Sequence, residues 1–254
     1  MLVWWQLGLL SVAALGAGFV DSIAGGGGLI TLPALLGCGL EPQLALGTNK
    51  LQASFGSGSA TWHFARAGLV DWRACRWGLL LTWAGAAIGT RTVQHLDADF
   101  LRIVIPVLLL GLAVFMAVRP ALGSRDGPPR MSRRLFDVVF GLGLGFYDGF
   151  FGPGTGTFWA TAFVLGLGFN LTRATAQTKA MNFASNLAAL VFFLAAGQVH
   201  WVAGFIMGVC QWLGARLGTR LVVRRGTRFI RPIFLSVVVV LTLKLLYEAA
   251  TSTR

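Results

Sequence analysis

The sequence predicts an all-α polytopic membrane protein of two inverted repeats, each of about five membrane segments, with short or broken helices at two glycine motifs. Three observations lead there. Of 254 residues, 56% are hydrophobic and only 12% are charged, where a water-soluble domain carries about a quarter charged. Apolar runs of about twenty residues, long enough to cross a hydrocarbon core, recur from end to end. The second half also repeats the first. GAAIGTR ending at Arg91 answers GARLGTR ending at Arg220, an offset of 129 residues. The same offset relates Lys50 to Lys179, Gly68 to Gly197, Trp72 to Trp201, Phe100 to Phe229 and Arg102 to Arg231.

Taken in order, the first segment is Leu2 to Val20. A cleaved signal peptide is disfavoured because no basic region precedes the apolar run, and the counterpart Leu135 to Tyr147 is internal. Four consecutive glycines follow, Gly25 to Gly28, just after the lone acid Asp21. Glycine at this density breaks a helix and opens backbone amides to a ligand. The next run, Leu29 to Leu40, holds Pro33 and is too short for a straight span, so it reads as a half-helix ended by Pro42. Leu44 to Ala65 makes the next span, with Asn49, Lys50 and Gln52 near its start and Ser54, Ser57 and Ser59 beyond. A basic loop, Arg66 to Arg76, leads to spans at Trp77 to Val93 and Phe100 to Val118. The polar stretch RPALGSRDGPPRMSRR, Arg119 to Arg134, divides the chain. The domains are thus a first transmembrane repeat (1–119), a cytoplasmic linker (120–132) and a second repeat (133–254). In that second repeat Asp148 and Gly152 answer Asp21 and Gly25.

Charge decides the orientation. With five crossings per half, Arg66 to Arg76, the linker, Arg173 and Arg216 to Arg231 all face the cytoplasm, and both termini lie outside it. With four per half, the arginines from Arg216 to Arg231 fall opposite the linker. The positive-inside rule therefore selects five plus five, which makes the halves inverted.

Several function classes drop out. The formal charge of +12 sits in short loops between apolar segments, so it marks orientation and not a nucleic-acid partner. Cys38, Cys75 and Cys210, like His63, His95 and His200, are dispersed and offer neither a metal site nor a nucleophile–base pair. No enzyme activity, cofactor or metal is expected. A homodimer is compatible with the sequence.

The motifs DSIAGGGGLITLPAL and ALGTNKLQ, the turn F-x-R-x-G-x-V-x-W, and GFFGPGTGTF with ATAQTKAMNFASNLAAL carry a resemblance over nearly the whole chain. They resemble the TauE/SafE sulfite-exporter family of membrane permeases. The resemblance implies transport, across the bacterial inner membrane, of a small sulfur-containing anion such as sulfite, a sulfonate or thiosulfate. An anion channel, or a proton-coupled importer of another small organic anion, is the alternative.

The residues support an anion site independently. Backbone N–H groups at a half-helix N-terminus present about half a positive charge. Gly26, Gly27 and Gly28, and Gly154, Thr155 and Gly156, lead into two such ends. Lys50 and Lys179 lie inside apolar spans, where each costs about 2.5–3.5 kcal/mol on insertion scales and calls for a role. Asn49, Gln52, Gln177, Asn182 and Asn186 can bond oxyanion oxygens. Asp21 and Asp148 are the candidate coupling acids. Plainer roles exist. The glycines could serve helix crossing, the lysines could snorkel or pair with Asp21 and Asp148, and the serines could pack. Trp4, Trp5, Trp72, Trp77 and Trp201 fit an interfacial belt. A membrane potential, negative inside, drives a monoanion outward by about 2.3 kcal/mol per 100 mV, which favours export without a coupled ion.

Overall fold

The computed structural model describes residues 2–118 and 126–225, and every regular element among them is a helix. The order is α1 (Trp4–Ala24), α2 (Gly28–Gly37), α3 (Pro42–Arg66), α4 (Trp72–Gln94), α5 (Ala98–Val118), α6 (Arg133–Phe150), α7 (Thr155–Leu167), α8 (Leu171–Ala195) and α9 (Trp201–Arg225). The repeat is visible in the elements themselves. α3 and α8 each have 25 residues, and a short helix precedes each, 10 residues in α2 and 13 in α7. The expected fifth segment of the second half, with Phe229 and Arg231, lies outside the described residues, as does linker stretch 119–125.

Two boundaries differ from expectation. Pro42 does not close the half-helix; it starts α3, where a missing N–H costs nothing. The chain turns earlier, at Gly39, whose φ is +87°. The basic loop is shorter than Arg66 to Arg76 because Asp71 caps α4, accepting a hydrogen bond from the Ala74 amide at 3.0 Å. Arg73 and Arg76 therefore sit on the first turns of α4.

Packing crosses between the halves. α1 lies along α9 and α4 along α6, while α3 packs on α9, α8 on α4, and α3 on α8. Glycines make the two outer seams, and they correspond. A methyl at Gly85 would strike Leu142 O and Phe146 N of α6; one at Gly214 would strike Leu15 O and Phe19 N of α1. Gly89 stands in the same way against Phe146 O, and Gly218 against Phe19 O. Small residues here let backbone touch backbone. Each half thus lends its first helix to the other half's fourth.

The loops gather at two ends. At one end Gln43 Nε2 donates to Leu96 O at 2.9 Å, Gln94 Nε2 to Gln198 Oε1 at 3.2 Å, and the His200 amide to Thr48 Oγ1 at 2.9 Å. At the other, the Gly127 amide donates to Gly168 O at 2.7 Å and the Asn170 amide to Asp126 Oδ1 at 2.7 Å. Arginines gather at this second end, Arg66 over Trp62 at 5.3 Å and Arg173 over Phe169 at 4.0 Å.

The surface is apolar and the middle polar. Trp4 is 88% exposed and Ile103 70%, while Lys50 and Lys179 are buried to 1% and 0%. That distribution suits lipid better than water. By length and composition, Trp4–Ile23 and Leu171–Ala195 are apolar enough to cross a membrane. α3, α4, α6 and α9 all carry lysine, arginine or aspartate within their length.

Candidate anion site

Left-handed glycines end α1 and begin α7. After Ala24, Gly25 and Gly26 have φ of 83° and 94°; after Phe150, Gly152 and Gly154 have 98° and 78°. Residues with a Cβ rarely adopt these values. The two breaks then meet. A methyl on Gly25 would lie 2.7 Å from Thr157 N and 2.8 Å from Gly156 C, and one on Gly28 would lie 3.0 Å from Pro153 Cα. The N-termini of α2 and α7 therefore share one place, each bringing the positive end of its dipole.

Two ion pairs cross over this junction. Lys50 Nζ on α3 donates to Asp148 Oδ1 of α6 at 2.7 Å and to the Asp148 carbonyl. Lys179 Nζ on α8 donates to Asp21 Oδ2 of α1 at 2.9 Å. Each lysine thus holds the aspartate of the opposite half. The surroundings differ. Asp148 also accepts from the Ser185 hydroxyl and is 4% exposed, whereas Asp21 accepts from the Gly27 amide at 3.2 Å and is 17% exposed. The plainer role weighed for the lysines, pairing with Asp21 and Asp148, is present and is crossed between halves.

A polar cavity of about 30 Å³ lies beside the pairs, room for about one water. Of the residues singled out from sequence, Gly28, Asn49, Lys50, Gln52, Gly154, Thr155, Gly156, Asn182 and Asn186 line it, together with Asp21 and Asp148. Gly26, Gly27, Gln177 and Lys179 do not, although Lys179 reaches Asp21 from behind and Gly27 bonds the same carboxylate. Asn49 is pinned within the wall: Thr31 Oγ1 and Gln52 Nε2 both donate to its Oδ1 at 2.7 Å. The sequence reading missed Ala53, Gly152 and Gln211.

The serines behave as packing residues. Ser54 and Ser57 donate to Lys50 O and Ala53 O at 2.8 and 2.7 Å, and Ser59 to Trp212 O at 3.1 Å. Trp4, Trp5, Trp72, Trp77 and Trp201 are all on the exposed surface. Among the described residues, no group of three or more His, Cys, Asp or Glu side chains gathers to hold a metal.

A profile of the family described as sulfite exporter TauE/SafE matches residues 10–245 of this chain. The chain belongs to the TauE/SafE family. It is a membrane transporter of that family. The probable membrane transporter protein YfcA of Escherichia coli (strain K12) is 46% identical over 243 residues, 96% of this chain and 90% of that protein. A probable membrane transporter protein of Haemophilus influenzae is 43% identical over 242 residues, covering 95% of each chain. Another, ORF9 of a Sinorhizobium species, is 43% identical over 247 residues, 97% of this chain and 95% of its own. No solved structure matches. The profile covers both glycine breaks and all four members of the crossed ion pairs.

Proposed function

We propose that this TauE/SafE protein is a multi-pass carrier of the bacterial inner membrane that moves a small sulfur-containing anion, such as sulfite, a sulfonate or thiosulfate. The observation that carries the reading is the junction itself. Two helix N-termini and the buried Lys50 line one polar cavity, and the buried Lys179 pairs with the Asp21 carboxylate in its wall, an arrangement that favours negative charge. The partners are the anion and the lipid bilayer. Its halves are two inverted repeats of about five segments. The gathering of loops at two ends, and of arginines at one of them, supports this. Single cysteines placed at 68 and 127 should label only from the cytoplasmic side, and those at 96 and 197 only from outside. Labelling of 68 and 197, which are repeat counterparts, from the same side would remove the inverted arrangement.

The crossed pairs favour a second reading, proton coupling. An anion about 4 Å from a lysine gains about 4 kcal/mol at an effective dielectric of 20. Lys50 already has a carboxylate at 2.7 Å, so an anion must displace Asp148 and keeps only the difference. An aspartate that takes up a proton releases its lysine to the anion, which ties one proton to one charge. Flux of sulfite and thiosulfate into proteoliposomes, under separately imposed voltage and pH gradients, distinguishes the two. Export without coupling predicts that flux follows voltage alone. Uptake that follows the pH gradient, and is lost in Asp21→Asn or Asp148→Asn, establishes coupling instead. Unitary currents would mark a channel.

A further inference from the structure

Beyond the signature motifs and the aspartate that precedes the second, the cavity has one polar wall residue. Gln211 lies on α9, is 3% exposed, and its Oε1 has no hydrogen-bond partner. The side chain is seated against two glycines. A methyl on Gly56 would lie 2.7 Å from Gln211 Cγ and Nε2, and one on Gly18 would lie 2.9 Å from Cγ. Two neighbouring helices have thus given up their side chains where this amide stands.

The repeat makes the point sharper. At the offset of 129, the counterpart of Gln211 is Thr82 on α4, and Gly145 faces Thr82 as Gly18 faces Gln211. Thr82 is satisfied within the protein, donating to Gly78 O at 2.6 Å and touching Met181 Sδ at 3.6 Å, and it does not line the cavity. The backbone packing is thus the same on both sides, but only one side puts an amide in the cavity wall. Gln52 Oε1 and Asn182 Oδ1, in the same wall, are also unpartnered. A buried polar atom left without a partner is costly. All three are acceptor oxygens, so together they call for a ligand that brings a hydrogen-bond donor, such as the O–H of a protonated oxyanion.

We propose that Gln211 contacts the transported anion and sets its selectivity, so that the cavity reads its cargo asymmetrically despite the repeated halves. The inference rests on the anion-carrier reading above. The carboxamide offers an N–H pair to an oxyanion oxygen and a carbonyl to any O–H the anion carries, and it adds no charge to a site already holding two ion pairs.

The test uses purified full-length protein in detergent, titrated with sulfite and with thiosulfate and followed by calorimetry. Gln211→Met keeps the volume and removes the amide; Gln211→Asn keeps the amide and withdraws it by one methylene. Both are expected to weaken binding about tenfold or more, as for loss of a hydrogen bond to a charged group, and to change the sulfite-to-thiosulfate affinity ratio. Thr82→Val should leave that ratio unchanged. A packing role would lower the melting temperature without moving the ratio, so an unchanged ratio in Gln211→Asn overturns the inference even if Gln211→Met fails to fold. Wild-type protein that binds neither anion overturns the carrier reading for these anions, and the inference with it. Binding by the wild type and equal binding by the Gln211 variants overturns the inference alone.

Discussion

Lys50→Ala is expected to abolish anion transport and to destabilise the fold by about 3–5 kcal/mol, because it strands a carboxylate in the interior. Asp148 is 4% exposed, and its remaining side-chain donor is Ser185. The pair can be separated from its function by removing both charges. Lys50→Met combined with Asp148→Leu should recover most of the stability, since apolar residues of similar size often replace a buried pair at little cost. That double variant should still fail to carry sulfite or thiosulfate. Melting temperature in detergent and proteoliposome flux are the two readouts. Wild-type flux in the double variant would make the pair structural. Lys179→Ala should cost the fold less, because Asp21 is 17% exposed and keeps the Gly27 amide.

The second large effect is expected at Gly25→Ala. An alanine at φ +83° costs about 1–3 kcal/mol in backbone strain alone. Its methyl would also lie 2.7 Å from Thr157 N, a backbone atom of the opposing break that cannot swing aside. The two helix N-termini would be forced apart, and the cavity between them with it. Gly8→Ala is the control, since nothing lies within 4 Å of its added methyl. Gly25→Ala should melt well below Gly8→Ala and bind sulfite and thiosulfate at least tenfold more weakly; equal melting and binding would refute the abutting arrangement.

Much of this was legible in the chain because it is encoded locally. Glycine runs break helices wherever they occur, and an offset of 129 announces a repeated element without reference to its neighbours. Lining residues also follow helical spacing: Gln52 and Ala53 fall three and four residues after Asn49, and Asn186 falls four after Asn182. The same spacing explains Gln177, five residues before Asn182 and nine before Asn186 and so on another face of α8. Partner choice was not legible. Spacing shows that Lys50 needs a carboxylate, but only the three-dimensional fold, which brings the last turn of α6 to Lys50, decides that it is Asp148 and not Asp21. Gln211 carries no mark of the repeat in the sequence, because its repeat counterpart is a threonine. The helix starts at Pro42 and Trp72 were misjudged for a simpler reason. Proline reads as a stop and arginines as a loop, whereas proline at a first turn and aspartate at a cap are both starting signals.

The glycine seams of α1 on α9 and α4 on α6 have a bearing on how such a molecule can move. Backbone laid against backbone leaves no side-chain layer to slide or repack. The stiff bodies are therefore composites: α1 with α9, and α4 with α6, each drawn from both halves of the chain. A rocking motion of the first 119 residues against the remainder would have to tear both seams at once. A motion that spares both seams would instead turn one composite against the other, so the unit that moves would not be a half of the sequence.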